Sequence, residues 1–119
     1  MKNKLKPNLL KLESKIELEI KNTMYYNLGI VVRWDTRKAE LNFKKHGITF
    51  HEAATVFYAD NSLEVEDPRH NEQRFIIIGF SMQSRFLTVV YSYRYEDEIR
   101  IISARKATKN EVKKYEERI

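Results

Sequence analysis

The stretch WDTRKAELNFKKHGITFHEAATVF, residues 34–57, decides how the rest of the chain must be read. Asp35 follows a β-branched run and has the character of a helix N-cap, with Trp34 before it set to face Ala39 as a hydrophobic staple. The helix so started stops at His46 and Gly47. Glycine suits the left-handed position there, Lys44, Lys45 and His46 favour the negative end of the helix dipole, and Ile48 can fold back on Phe43. A second helix begins at once, because Thr49 and Glu52 form a T-x-x-E capping box ahead of Ala53, Ala54, Val56 and Phe57. The basic cluster at 44–46 is therefore a helix–helix corner, and its glycine and helix-ending charges need no chemistry to explain them.

Working outward, IVVRW (30–34) reads as a short strand leading into that corner. Downstream come LEVE, RFIIIGFS, FLTVVYSY and IRIISA, separated by the polar segments DPRHNEQ, MQSR and RYEDE. Short turns between apolar runs predict an antiparallel meander, and the unbroken apolar runs of the last three predict strands covered on both faces. Thr108 and Glu111 repeat the capping box and open a final charged helix with Val112 and Tyr115 on its apolar edge. The expected fold is α+β in the order β-α-α-β-β-β-β-α, a mainly antiparallel sheet with helices packed on it. Residues 30–119 form the domain. Residues 1–29 read as an N-terminal extension, in which Leu9, Leu12, Ile16 and Ile20 mark a short amphipathic helix.

Composition narrows the chemistry. A chain of 119 residues with 33% charged residues is one modest domain. It has no cysteine and three histidines, which removes disulfides, thiolate catalysis and cysteine-ligated zinc and leaves little for a histidine-rich site, so neither a metal nor another cofactor is expected. No apolar run approaches the ~20 residues that span a bilayer. The basic start is too punctuated by charge for a signal-peptide core, and a cytoplasmic protein without membrane contact is expected. The net charge of +5 invites a polyanion. Residues 100–119 hold seven Lys or Arg against three Glu, so the C-terminal end is the locally basic one.

Four stretches taken together resemble the BrnT family of type II toxins, small RelE-like ribonucleases encoded beside a BrnA antitoxin. They are WDxxKAxxNxxKHGITFxEAxxVF (34–57), ExRxxxIGxS (72–81), RxLxVVY (85–91) and IRIISARxATxxE (99–111). The resemblance covers residues 33–115; Asn61 stands where members commonly carry proline. It implies a RelE-like fold and a metal-independent endoribonuclease that halts translation. It also implies inhibition by a BrnA-like antitoxin with a ribbon-helix-helix DNA-binding region, and operator DNA contacted only through that complex, which autoregulates its operon.

Cutting RNA without a metal requires activation of the 2′-hydroxyl, protonation of the leaving 5′-oxygen and stabilisation of charge on the phosphorane. Arg74, Arg94 and Arg105, at or beside strand ends, suit the last task because a guanidinium stays charged and holds two phosphate oxygens at once. Each could equally form an ion pair with Glu66, Asp67 or Glu72. His46 is the candidate for proton transfer, although its capping position is a sufficient explanation. Lys45 and Arg100 are candidate phosphate contacts, and Tyr91 and Tyr93 could stack on bases or belong to the core. A strict period of two in IRIISAR places Arg105 with Ile101 and Ser103 and sends Arg100 to the opposite face. The competing reading is a non-catalytic module that binds an antitoxin or nucleic acid as a corepressor.

Overall fold

The computed structural model describes residues 23–26 and 29–118. The amphipathic stretch expected at 8–22 lies outside them. Among these residues nine elements follow one another: β1 (Thr23–Tyr26), β2 (Ile30–Trp34), α1 (Thr36–His46), α2 (Phe50–Thr55), β3 (Leu63–Asp67), β4 (Arg74–Phe80), β5 (Phe86–Tyr95), β6 (Glu98–Lys106) and α3 (Lys109–Glu117). A single turn of 3-10 helix, Val56–Tyr58, extends α2. The α+β class and the expected element order hold, with one strand more than expected: β1 pairs antiparallel with β2, Thr23 opposite Arg33.

The six strands form one sheet in the order β1-β2-β6-β5-β4-β3. β3 to β6 are the expected antiparallel meander, while β2 lies parallel to β6 because α1 and α2 carry the chain away before it returns. The local signals act as read. Asp35 accepts from the Lys38 N–H, and Gly47 ends α1 at φ 71° while its N–H donates to Phe43 O. Thr49 accepts from the Glu52 N–H, and Thr108 with Glu111 completes a reciprocal capping box.

One face of the sheet carries the main core. Val32, Trp34, Ile77, Leu87, Val89, Tyr91, Ile99, Ile101 and Ala104 pack there against Ile48, Phe50, Ala53, Ala54, Val56 and Phe57. On the other face, Tyr115 of α3 meets Phe86 edge-on at 4.7 Å and Phe80 at 6.3 Å. This corrects the expectation that the long strands are covered on both sides. At nine residues α3 spans only about 14 Å and reaches one end of that face, so the stretch carrying Arg74, Ser92, Arg100 and Ser103 is half-buried. No described helix is long and apolar enough to cross a membrane.

Candidate nucleic-acid interface

Cross-strand neighbours share a face, so the register identifies what the open face displays. Arg100 lies opposite Ser92 and beside Arg33, and Arg105 lies opposite Thr88. Arg74 follows from the Phe75–Tyr91 pair and stands across from Ser92. Arg33, Arg100, Ser92 and Arg74 thus form a row across four strands, with neighbours about 4.8 Å apart. Arg105 and Ser103 stand further along the same face.

Arg100 and Arg105 share this face because of a β-bulge. Val90 pairs with Ser103 while the next residue, Tyr91, pairs with Ile101, so Ile102 is an extra residue in β6. The bulge reverses the alternation: Ile101 and Ala104 both enter the core, and Arg100 joins Ser103 and Arg105 instead of opposing them. The expectation drawn from a strict period of two is overturned for that reason. A second irregularity between Tyr93 and Tyr95 places Arg94 in a bulge of β5.

Carboxylates hold most of these arginines. Arg105 pairs bidentately with Glu111 at 2.7 and 2.8 Å. Arg74 donates to Glu72 at 3.0 Å through Nε and 2.5 Å through Nη2. Glu98 lies between Arg33, at 3.0 Å, and Arg94, at 3.7 Å. These are the ion pairs the sequence allowed for, but the partners of Arg105 and Arg94 are not among the three acids foreseen. Arg100 differs: it has no carboxylate within ion-pair distance among the described residues, and its Nε is buried without a hydrogen-bond partner.

Beside the row, α1 runs along the β6 bulge. Lys38, Lys45 and His46 line a cleft of about 310 Å³ together with Ile102 and Ser103. His46 is half-buried there and Lys45 is exposed. The corner thus brings its imidazole and one lysine to the edge of the arginine face. Tyr91 and Tyr93 do not join them. Tyr91 is fully buried on the core face, where it stacks with Phe75 at 5.6 Å and donates to Glu64 at 2.7 Å. A side chain so enclosed has no face to offer a base. Tyr93 opposes Ile99 on that same core face, partly exposed, with burial pushing its hydroxyl above the ordinary tyrosine value.

Burial acts to raise the Glu111 carboxyl, but hydrogen bonds from Arg105, the Thr108 N–H and Thr88 outweigh it and hold the group at about 2. Asp67, under the β3–β4 loop, is also held at about 2, chiefly by Arg69, which grips it at 2.8 and 2.9 Å. Glu52 is a different case. Its backbone N–H donates to the N-cap Thr49, yet its side chain turns inward, 2% exposed, to accept from Arg85 and, at 2.7 Å, from Ser81. The full capping box expected at Thr49 is therefore only half made, because Arg85 offers the carboxylate a charged partner. Arg33, Ser92, Ser103 and Glu111 were missed as parts of this candidate interface. Only Arg33 carried a usable signal, since it alternates with the apolar Val32 and Trp34. No cluster of three or more potential metal-ligating side chains occurs among the described residues.

Three comparisons bear on this arrangement. The family model described as the ribonuclease toxin BrnT of type II toxin–antitoxin systems matches residues 34–111. The crystal structure of the Brucella abortus ribonuclease toxin BrnT is similar in fold, with a TM-score of 0.50 and 22% identity, covering 64% of this chain and 94% of that one. No curated protein sequence matches the chain.

Proposed function

Because this chain belongs to the BrnT family of ribonuclease toxins of type II toxin–antitoxin systems, we propose that RNA is bound and cut on the open sheet face between β6 and β4. One observation carries the reading: the bulge at Ile102 brings Arg100 onto the face that already carries Arg74 and Arg105, with His46 and Lys45 at its margin. Arg100, with its unpaired Nε, and Lys45 anchor backbone phosphates. Arg105, Arg74 and Arg94 stabilise the negative charge that grows on the phosphorane, a task for preorganised donors. His46 transfers a proton. The 2′-hydroxyl is the nucleophile and the 5′-oxygen leaves, giving a 2′,3′-cyclic phosphate and a 5′-hydroxyl without need of a metal ion.

In the cell, this activity acts on RNA in the cytoplasm and inhibits translation. A BrnA-like antitoxin with a ribbon-helix-helix region covers the arginine face, neutralises the toxin and, with it, represses their operon. Incubating purified protein with RNA in excess chelator and analysing the product ends tests the reaction. Cyclic phosphate ends are expected. An inert chelated protein that cuts once magnesium returns would overturn the mechanism, and coexpression with the antitoxin should relieve growth arrest.

The carboxylate partners favour a second reading. Among the arginines named above, only Arg100 lacks one among the described residues, and a non-catalytic corepressor needs phosphate contacts but no proton-transfer pair. RNA binding that falls steeply with salt, without cleavage on naked RNA or ribosomes, would select it.

A further inference from the structure

Glu111 makes more hydrogen bonds than a helix cap requires. Its Oε1 accepts from the Thr108 N–H at 2.8 Å, from Thr88 Oγ1 at 2.9 Å and from Arg105 Nη1 at 2.7 Å, while Oε2 accepts from Arg105 Nη2 at 2.8 Å. The first bond completes the capping box, and the other three reach the sheet. Thr88 is fully buried, so the carboxylate is fixed from the sheet and from the helix at once. Packing of Tyr115 on Phe86 secures the helix that bears it.

The consequence falls on Arg105. A guanidinium offers an oxyanion two edges, one between its terminal nitrogens and one between Nε and a terminal nitrogen. Glu111 occupies the first, and Nη1 also donates to Lys106 O at 3.3 Å. Nε and the second Nη2 hydrogen have no protein partner among the described residues, and the side chain is 36% exposed. One edge is fastened and the other is available. A free arginine would have to give up rotamer freedom each time it met a phosphate, whereas this one has lost it on folding.

We propose that Glu111 is a positioning residue for RNA cleavage, fastening the Nη1–Nη2 edge of Arg105 so that its Nε–Nη2 edge is presented to the reacting phosphate. This rests on the reading that the open face cuts RNA. Glu111 itself touches no substrate and exchanges no proton. Because Arg105 acts on charge that develops in the transition state, loosening it lowers kcat more than it raises KM.

The test uses full-length protein and a 5′-labelled single-stranded RNA of mixed sequence, with translating ribosomes as a second substrate. Rates are compared for wild type, Glu111→Gln, Arg105→Ala and the double variant. Glu111→Gln keeps an acceptor for the Thr108 N–H but loses the charge and the two-oxygen grip. The expected result is a kcat about tenfold lower with little change in KM, and no further loss when the change is added to Arg105→Ala. Gly79→Ala is the control for a merely structural loss, since it crowds Ser62 rather than Arg105 or Glu111 and should lower Tm without lowering kcat. Wild-type or faster cleavage by Glu111→Gln would overturn the proposal, faster cleavage meaning that the carboxylate masks Arg105. An equal loss of kcat in Gly79→Ala would also overturn it. A wild type inert on both substrates removes the underlying reading, and the proposal with it.

Discussion

Asn42 and Ala104, 62 residues apart, are joined at both polar atoms of one residue: the Asn42 Oδ1 accepts from Ala104 N at 3.0 Å and its Nδ2 donates to Ala104 O at 2.8 Å. The registered pairing of β2 with β6 ends at Trp34 and Ile101. Beyond it the asparagine amide substitutes for a strand, and Nδ2 also donates to Ile48 O at 3.1 Å. Asn42→Ala takes this partner from one buried N–H and two buried carbonyls, which costs roughly 2–4 kcal/mol. Urea denaturation should show that loss, and a variant with an unchanged midpoint would mean that the α1–β6 seam is held by packing alone.

Arg105→Ala should reduce single-turnover RNA cleavage by ~10²-fold or more while leaving the circular dichroism spectrum intact. Arg105→Lys should recover little, because an ammonium cannot be gripped by Glu111 on one edge and hold a phosphate with the other. His46→Ala should lose less, since the histidine also serves the end of α1. Near-normal cutting by folded Arg105→Ala would place the chemistry elsewhere on the face.

Acid should weaken the fold in a defined window. Glu111 is held at about 2, well below the ordinary value of 4.5. A depressed carboxyl contributes its full stability above its unfolded value and loses it as pH falls through the folded one. Hydrogen bonds from Arg85, opposed by burial and joined by Ser81, depress Glu52 in the same sense. Urea midpoints measured downward from pH 6 should fall between about 4.5 and 2, and the fall should be shallower in Glu111→Gln. A parallel curve for that variant would show that its pairing adds nothing to stability.

Gly79, buried in β4, has no room for a side chain. A Cβ there would lie 3.0 Å from Ser62 Cβ and closer still to its hydroxyl, which donates to Val56 O at 2.9 Å. Gly79→Ala should therefore destabilise by about 1–3 kcal/mol. Adding Ser62→Gly removes the atoms in the way and should return part of the loss. Additive losses in the double variant would locate the cost in the strand backbone.

Deleting residues 1–22 keeps β1, and Tm should stay within a few degrees of the full chain. Deleting through Tyr26 removes the partner of β2 and bares a row of backbone donors and acceptors, a template for pairing with another chain. Lower Tm and concentration-dependent association by gel filtration are expected from the longer deletion only.

The helix ends were legible in the sequence because a cap is a local device. Asp35 to Lys38, Thr49 to Glu52 and Thr108 to Glu111 each span three residues, and the backbone that brings them together is the helix itself. Apolar runs likewise marked β2 and β4 to β6. Arg74, Arg105, Arg100, Lys45 and His46 were legible as candidates by residue type and by their place near element ends. Tyr91 and Tyr93 were not resolved that way, since alternation tells which residues share a face but not which face the helices cover.

The sequence by itself determined where helices begin and end, which runs become strands and which side chains could meet a phosphate, because these depend on neighbours within a turn or two. Tertiary structure alone decided which of these side chains share the candidate face. The extra residue at Ile102 exists only relative to the register of β5, and that one-residue offset moves Arg100 onto the face of Arg105. In the same way, Glu52 leaves its cap because Arg85, 33 residues away, is brought within reach by the folded sheet. A strand's alternation is a property of one segment, but a bulge and a buried ion pair are properties of two segments held at a fixed distance, and only the closed sheet sets that distance.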